Sequence, residues 1–259
     1  MRLLTLYSGS GGNSTYIELG DAKILIDAGK SARRLCSALC DVGVCIDEID
    51  AIFITHEHSD HVSALETLTK KHKIPIHITK ESAVRFSSDR FDALRECIVA
   101  HETVFEEEIK GVNIHSFRTP HDSRMSVGYR IEFSDGENKL AIGFATDVGY
   151  VTKTICAALL GCEAVVLESN HDLDMLKSGP YPLDLKKRIL SKGGHLSNAE
   201  SARFAAHLAE NGTRAFLLAH LSEENNTPDT ALDEFISSIA NTEIQIAVAD
   251  PEYPTEIKF

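Results

Sequence analysis

The sequence predicts an α/β fold in which two mixed β-sheets pack together and are flanked by helices. Short apolar and β-branched runs occur in two batches along the chain, and helical patterns follow each batch. This arrangement favours a layered pair of sheets over a closed barrel. The chain has 259 residues, of which 43% are hydrophobic, and this is enough to build one full core. We therefore expect a single domain that spans residues 1–259.

The first half of the chain is predicted to contain five strands and three helices. Glycine-containing turns separate the first three apolar runs, and Ser31 is suited to cap the helix that follows them. The predicted strands are Leu3 to Leu6, Thr15 to Leu19, Lys23 to Asp27, Asp50 to Thr55 and Ile74 to Thr79. The predicted helices run from Ser31 to about Val42, from Val62 to Lys71 and from Glu81 to Arg95.

The second half begins with a batch of three strands and then alternates helices with strands. The three strands are Ile114 to Arg118, Val127 to Phe133 and Leu140 to Ala145, with a turn at Ser134-Asp135-Gly136-Glu137-Asn138 before the last of them. Further helices are predicted at Thr152 to Leu160, at Asn198 to Ala209 and from Pro228 onward, where proline occupies its favoured first turn. Further strands are predicted at Ala164 to Leu167, Ala215 to Ala219 and Gln245 to Ala249.

Charge and the lack of long apolar segments restrict the classes of function. The formal net charge of −13 argues against a polybasic nucleic-acid binder, although a local basic strip or bound cations could still handle an anionic substrate. The first apolar run is too short for a signal peptide, and no segment reaches transmembrane length, so we expect a cytoplasmic protein without membrane contact. The six cysteines form no CxxC pair, and we expect them to be reduced and mostly buried.

One short segment predicts a metal site. It places His56, His58, Asp60 and His61 directly after the apolar run 49–54. Neutral imidazoles and carboxylates suit zinc, manganese and iron, and a ligand set of this density can hold two ions. The cluster falls in a loop at the carboxyl end of a predicted strand, where α/β enzymes usually place their chemistry.

Three more metal-binding side chains stand just after predicted strands. His121 follows the strand at 114–118, Asp147 follows the strand at 140–145, and His220 follows the strand at 215–219. Any one of them alone would be an ordinary polar residue in a loop. Because they share this position with the histidine cluster, we expect them to complete a site for two ions.

These residues give the chain its resemblance to the metallo-β-lactamase superfamily, and specifically to its phosphodiesterase branch. Five longer motifs resemble the YycJ (WalJ) group within that branch. They are Ser8-Gly9-Ser10-Gly11-Gly12-Asn13, Thr119-Pro120-His121-Asp122, Glu168-Ser169-Asn170-His171-Asp172, Gly194-His195-Leu196-Ser197-Asn198 and Ala219-His220-Leu221-Ser222-Glu223-Glu224-Asn225-Asn226. The resemblance covers nearly the whole chain and implies an αββα sandwich. The intervals between the ligands leave no room for an inserted cap domain.

The resemblance implies a role for each of these side chains. One ion would be held by His56, His58 and His121, and the other by Asp60, His61 and His220, with Asp147 as the bridge. Asp60 would also orient or deprotonate the bridging water, and Asp27 would hold a ligand histidine by a hydrogen bond. His195 would give a proton to the leaving group with Glu168 as its supporting carboxylate. The ions would be Zn²⁺ or Mn²⁺, and iron is also compatible with these ligands.

For several residues the sequence is compatible with two roles. His195 could be a surface loop residue, and His171 could either approach the metals or hydrogen-bond its own loop. The turn that contains Ser10, Gly11, Gly12 and Asn13 could offer backbone N–H groups to a phosphate, or it could simply connect two strands. Asn225 and Asn226 are candidates for supporting the ligands or contacting substrate. His72, His77, His101, His115 and His207 have no partner pattern, and we interpret them as structural.

The resemblance implies a phosphodiesterase, most simply a DNA exonuclease of the 5′-to-3′ type, in which a bridging hydroxide attacks phosphorus. A second hypothesis is a small-molecule hydrolase of a thioester, lactone or cyclic phosphodiester. The acidic net charge and the absence of room for the tRNA-gripping arm of ribonuclease Z favour it. A third hypothesis, a non-catalytic regulatory binder, fits poorly with a complete set of metal ligands.

Overall fold

The strands of the computed structural model, which describes residues 1–136, 139–239 and 243–259, form two seven-stranded sheets. In the first sheet the order is β14-β1-β2-β3-β4-β5-β6. The bounds are β1 Arg2–Tyr7, β2 Ser14–Leu19, β3 Ala22–Ile26, β4 Ala51–Phe53, β5 Ile76–Thr79, β6 Ile98–His101 and β14 Thr255–Ile257. From β14 to β3 the neighbours are antiparallel, and from β3 to β6 they are parallel.

The second sheet repeats this division. Its order is β13-β12-β11-β10-β9-β8-β7, with antiparallel pairs from β7 to β10 and parallel pairs from β10 to β13. The bounds are β7 Glu106–Ile109, β8 Val112–Thr119, β9 Ser126–Ser134, β10 Lys139–Ala145, β11 Ala164–Glu168, β12 Ala215–Ala219 and β13 Gln245–Val248. Parallel strands need crossover connections, and here those connections supply the helices.

Ten α-helices are assigned within the described part of the chain. They are α1 Ala32–Asp41, α2 Ser59–Val62, α3 Leu65–Leu68, α4 Lys80–Ala83, α5 Asp92–Arg95, α6 Lys153–Leu159, α7 Leu173–Ser178, α8 Leu183–Ile189, α9 Asn198–Glu210 and α10 Pro228–Ser238. The longer ones start at capping side chains, because Ser31, Thr152, Ser197 and Thr227 each accept a backbone N–H of the first turn. No helix among the described residues is long and apolar enough to cross a membrane.

Three buried layers hold the elements together. The layer between the sheets contains side chains such as Phe53, Tyr129 and Leu217, all fully buried. A second layer packs α1 and α3 on the outer face of the first sheet, and a third packs α6, α9 and α10 on the outer face of the second. The result is an αββα sandwich of two mixed sheets flanked by helices, and it confirms the predicted fold class.

Several predicted elements were wrong in extent or were missed. The predicted helix at 62–71 is the short pair α2 and α3, and the one at 81–95 is α4, α5 and short 3₁₀ turns. Strands β6, β7 and β14 and helices α7 and α8 were not predicted. Glutamates are poor strand formers, so β7 is a strand only because it pairs with β8 at the sheet edge. In the predicted turn at 134–138, Glu137 and Asn138 lie outside the described residues.

The cysteines are all free, as predicted, but they are not mostly buried. Cys97 and Cys162 are buried, Cys36 and Cys156 are intermediate, and Cys40 and Cys45 are exposed. The two exposed thiols lie at the end of α1 and just after it, where the apolar face of the helix no longer covers the chain.

Candidate metal centre

The histidine cluster lies at the carboxyl end of β4. After Phe53 the chain leaves the sheet, His56 is fully buried, and α2 carries Asp60 and His61 back toward it. The ring of His56 lies 4.5 Å from that of His58 and 4.2 Å from that of His61, measured between centroids. Three buried or half-buried imidazoles therefore converge within one loop and one helical turn.

The later ligand candidates reach the same place from the carboxyl ends of β8, β10 and β12. His56, His58 and His121 present ligand atoms that all lie within 4.8 Å of one another. Asp60, His61 and His220 do the same. These are the two triads that the resemblance implied, and they lie side by side.

Asp147 lies between the two triads. Its Oδ2 is 3.4 Å from Nε2 of His61, and its Oδ1 is 3.7 Å from Nε2 of His121. Oδ1 is also 3.4 Å from Nδ1 of His220. The carboxylate is 2% exposed, so it can face both triads at once without contact with bulk water. This is the position that a bridging ligand requires.

The backbone is strained at the strand ends that carry these groups. Asp27, Asp147 and His220 have φ angles of 63°, 57° and 59°, and they are three of the five non-glycine residues with positive φ in the described chain. Such conformations cost about 1–3 kcal/mol each and cluster at functional sites. The Ser8 hydroxyl accepts the N–H of His220 at 2.7 Å and stabilises one of them. This role of Ser8 was not predicted.

Hydrogen bonds indicate which ring nitrogen is free in two of the candidate ligands, His61 and His121. Nδ1 of His61 lies 2.8 Å from Oδ2 of Asp27, so the N–H of His61 points at this buried carboxylate. Asp27 is itself held by the backbone N–H and hydroxyl of Thr55. Nδ1 of His121 is 3.3 Å from the Gly194 carbonyl. Both contacts leave Nε2 with its lone pair directed into the site, which is the tautomer that a metal needs.

The residues fit bound cations on two grounds. Nε2 of His56, Oδ2 of Asp147 and Nε2 of His220 are buried without a hydrogen-bond partner, although such atoms are nearly always paired. In addition, the site gathers four carboxylates, from Asp27, Asp60, Asp147 and Glu168, and no lysine or arginine is paired with any of them in the described structure. Buried charge of this size needs compensation. Two divalent ions would balance four carboxylates with every histidine neutral.

Shifts in pKa reflect the same charge imbalance. Burial lowers the pKa of His56, and repulsion from the neighbouring imidazoles lowers it further. Burial also disfavours charge on His220, but the carboxylates of Asp147, Asp60 and Glu168 outweigh it and raise its pKa to about 10. The carboxylates thus attract positive charge strongly enough to protonate a buried histidine when no other cation is bound.

Comparison with known proteins identifies the family. The β-lactamase superfamily domain matches residues 22–221. The chain is 32% identical to exodeoxyribonuclease WalJ of Streptococcus pneumoniae over 254 residues, which cover 96% of this chain and 92% of WalJ. It is also 32% identical to exodeoxyribonuclease YycJ of Bacillus anthracis over 263 residues, covering 98% and 97% of the two chains.

The chain belongs to the metallo-β-lactamase superfamily. Within it, the protein is similar to the YycJ (WalJ) group over nearly its full length, and it is a metal-dependent hydrolase. Its fold is also that of the metallo-β-lactamase fold protein YhfI from Bacillus subtilis, with a TM-score of 0.72 at 17% identity, over 99% of this chain and all of YhfI.

A histidine and a glutamate extend this metallo-β-lactamase site beyond the ligands. Nδ1 of His195 lies 2.7 Å from Oε1 of Glu168, which also receives Nδ1 of His220 at 3.0 Å. The other oxygen of Glu168 accepts the backbone N–H groups of Val148 and Leu196. Burial would raise the pKa of Glu168, but these two histidines lower it overall. One carboxylate therefore orients both His195 and a ligand candidate of the centre.

The remaining candidates divide into near and distant groups. Asn13 lies beside the centre, because its Nδ2 is 3.2 Å from both Oδ2 of Asp60 and Nε2 of His61. His171 belongs to none of the metal-binding groups of the described residues, and its Nδ1 faces Oδ1 of Asn170 at 3.3 Å. Asn225 and Asn226 contact the loop after β11, where the Asn226 amide donates to the Ser169 and Asn170 carbonyls.

The glycine-rich turn is a compact connection between β1 and β2. The N–H of Gly12 is donated to the Gly9 carbonyl, and the N–H of Gly9 to Oδ1 of Asn13. Two of its N–H groups are thus used within the turn. Gly12 has a φ of 150°, and an added Cβ would lie 2.6 Å from the Lys30 nitrogen, so glycine is required there. Ser10 and Gly11 form the part of the turn that faces solvent.

Glu57, between His56 and His58, faces away from the metals. Its carboxylate is buried and accepts hydrogen bonds from the Ser82 hydroxyl at 2.6 Å and from the Arg124 N–H at 2.8 Å. It ties the histidine loop to α4 and to the loop after His121. The sequence pattern gave no indication of this contact, because both partners are distant along the chain.

A small cavity opens beside the metal centre. It has a volume of about 240 Å³ and is lined by Tyr181, Leu185 and Arg188 on one side and by Ser10, His195 and His220 on the other. The guanidinium of Arg188 forms a two-point ion pair with Asp122, next to His121. The residues around α8 therefore form one wall of the entrance to the site.

Proposed function

We propose that this protein is a nuclease, and specifically an exodeoxyribonuclease that uses two divalent metal ions. Full-length similarity to two proteins named exodeoxyribonuclease supports nuclease activity. The observation that carries the proposal for this chain is the pair of His195 and Glu168 beside Asp147. It supports a role for His195 as proton donor next to side-chain groups that could hold two ions.

Seven side chains would bind the two ions in this proposal. His56, His58 and His121 would hold one ion and Asp60, His61 and His220 the other, with Asp147 shared. When bound, Zn²⁺ or Mn²⁺ ions would activate water and neutralise the charge that develops on a phosphate. Asp27 and the Gly194 carbonyl keep the ligand tautomers correct through their hydrogen bonds to His61 and His121.

His195 supplies the proton that the leaving group needs. Its Nδ1 is engaged by Glu168, so its Nε2 is the atom available to the substrate. The side chain is 15% exposed and lines the 240 Å³ cavity, in contrast to the buried ligand candidates. A partly exposed imidazole with a fixed orientation can donate to a leaving oxygen and recover its proton from water between turnovers.

The cavity wall suits the end of a polyanion. Pockets for whole small molecules usually have about 300–1,000 Å³, so this smaller cavity fits a terminal group more readily than a bulky free substrate. Arg188 can contact a phosphate, and Tyr181 offers a ring on which a base can stack. Lys186 donates hydrogen bonds to the Lys177 and Gly179 carbonyls, and these bonds stabilise the loop between α7 and α8.

The test is digestion of a linear DNA duplex that is labelled at either the 5′ or the 3′ end, with Mn²⁺ or Zn²⁺ added. We expect nucleotides to be released progressively from an end, with early loss of the 5′ label. Protein that is fully loaded with metal and leaves DNA and RNA intact would disprove the proposal.

The net charge of −13 favours a small-molecule hydrolase as the second candidate. Turnover of a thioester, lactone or cyclic phosphodiester without nuclease activity would support that alternative.

A further inference from the structure

A second cluster of metal-binding side chains lies at the edge of the sandwich, away from the dinuclear ligands. His77 is on β5, His101 ends β6 and Glu107 is on β7. β6 is the outermost strand of the first sheet, and β7 is the outermost strand of the second. The cluster shares no member with the four metal-binding groups of the centre described above.

The three ligand atoms converge. Nδ1 of His77 is 2.9 Å from Nε2 of His101, and Oε2 of Glu107 is 3.9 Å and 4.0 Å from these two nitrogens. Tetrahedral zinc with bonds of about 2.0–2.2 Å separates its ligand atoms by roughly 3.3–3.5 Å. Each of the three separations differs from this spacing by about half an ångström.

The surroundings hold the two imidazoles in place. The rings of Phe53, His77, His101 and Phe105 lie nearly parallel to one another, with successive centroids 4.5, 5.1 and 4.0 Å apart and interplanar angles below 20°. Each ring thus has a fixed plane before any ligand binds. Glu107 is about one-third exposed, so a cation can enter from solvent on that side.

Burial lowers the pKa of both imidazoles. Burial lowers the pKa of His77 to about 4, and the neighbouring His101 contributes in the same direction. Burial also lowers the pKa of His101. Both rings are therefore neutral at neutral pH, the form that binds metals. Without a metal, the 2.9 Å contact needs a hydrogen on one of the two facing nitrogens.

We propose that His77, His101 and Glu107 bind a zinc ion that joins the edge strands of the two sheets. The donor set of two imidazoles and one carboxylate leaves the fourth position to water. β6 and β7 are consecutive, linked by residues 102–105, and each has one side without a strand neighbour. An ion bound to both strands would fix them together and protect this exposed edge.

Counting bound zinc tests this proposal. Full-length wild-type protein and the variants Glu107→Gln and His101→Gln are equilibrated with zinc, passed over a desalting column and measured by elemental analysis. Glu108→Gln is the matched control, because Glu108 is on the same strand with its side chain exposed on the opposite face. We expect wild type and Glu108→Gln to carry one more zinc ion than Glu107→Gln and His101→Gln. Equal content in all four proteins would overturn the proposal.

A second measurement does not depend on the variants. Anomalous diffraction at the zinc edge from wild-type crystals should give a peak within bonding distance of His77, His101 and Glu107. Crystals with zinc at the dinuclear centre and no peak at the sheet edge would disprove the site.

Zinc at 100 times the dissociation constant should also raise the melting temperature of Glu108→Gln about 5–10 °C more than that of Glu107→Gln. An equal rise would count against binding between the strands.

Discussion

Replacement of Glu168 by glutamine should damage the site in a way that the structure makes calculable. The carboxylate is fully buried and accepts four hydrogen bonds, two from His195 and His220 and two from the backbone N–H groups of Val148 and Leu196. Glutamine has the same shape, but it offers only one acceptor oxygen. Two of the four donors must therefore face an NH₂ group instead of an oxygen.

Either orientation of the glutamine has a cost. If its oxygen faces the histidines, two buried backbone N–H groups lose their acceptor, which costs about 1–3 kcal/mol each and about 2–6 kcal/mol together. If its oxygen faces the backbone, His195 and His220 must move their hydrogens to Nε2. That tautomer prevents His220 from binding metal through Nε2, and it leaves His195 without the Nδ1 hydrogen through which the carboxylate orients it.

We expect Glu168→Gln to slow DNA cleavage by about 10²–10⁴-fold, the usual contribution of a positioned proton donor. Single-turnover digestion of end-labelled duplex measures the rate, and urea denaturation measures the free energy of unfolding. Glu163→Gln is the matched control, because Glu163 lies just before the first residue of β11, whereas Glu168 is the last residue of that strand. An unchanged cleavage rate and an unchanged free energy of unfolding in Glu168→Gln would show that this carboxylate does not orient His195 and His220.

Three further predictions address other contacts. Asp27→Asn keeps the left-handed backbone, which asparagine tolerates, but weakens the bond to His61, so metal affinity should fall about 10–100-fold in a competition assay with a chelator. Arg188→Ala should weaken DNA binding and reduce the slope of log affinity against log salt by about 1, whereas Lys187→Ala should change neither. In the metal-free fold the pKa of His77 is about 4, whereas in the unfolded chain it is about 6.5. The free energy of unfolding therefore falls as the pH drops from 6.5 to 4. With EDTA present, the free energy of unfolding of His77→Gln should change less between pH 6.5 and pH 4 than that of wild type. The same pH dependence in both proteins would show that burial does not lower the pKa of His77.

The grouping of the candidate metal ligands could be predicted because it depends on local rules. His56, His58, Asp60 and His61 are neighbours in sequence, and His121, Asp147 and His220 each follow a strongly apolar strand. Carboxyl ends of strands in a mixed sandwich meet at one edge, so position along the chain was enough to bring these residues together. The left-handed backbone at Asp147 and His220 was not predictable, because it depends on contacts such as that of Ser8 with the His220 N–H.

The cluster of His77, His101 and Glu107 could not be predicted in the same way. Its residues come from three strands, two of which were not predicted because their sequences favour other structures. β6 is a short edge strand, and β7 contains three consecutive glutamates. Only the pairing of β5 with β6, and the return of the chain into the second sheet at β7, brings the side chains together. Tertiary structure, rather than any local pattern, creates this cluster.

In the proposed function, the metal centre cleaves DNA from an end. The most direct measurement compares linear duplex with the same sequence as a covalently closed circle, incubated with metal-loaded wild-type protein and with Asp147→Asn. We predict that wild-type protein degrades the linear duplex and leaves the circle intact, and that Asp147→Asn loses this activity together with bound metal. Three outcomes would contradict cleavage from an end at this centre. They are intact linear DNA, nicking of the circle at a comparable rate, and full activity in Asp147→Asn.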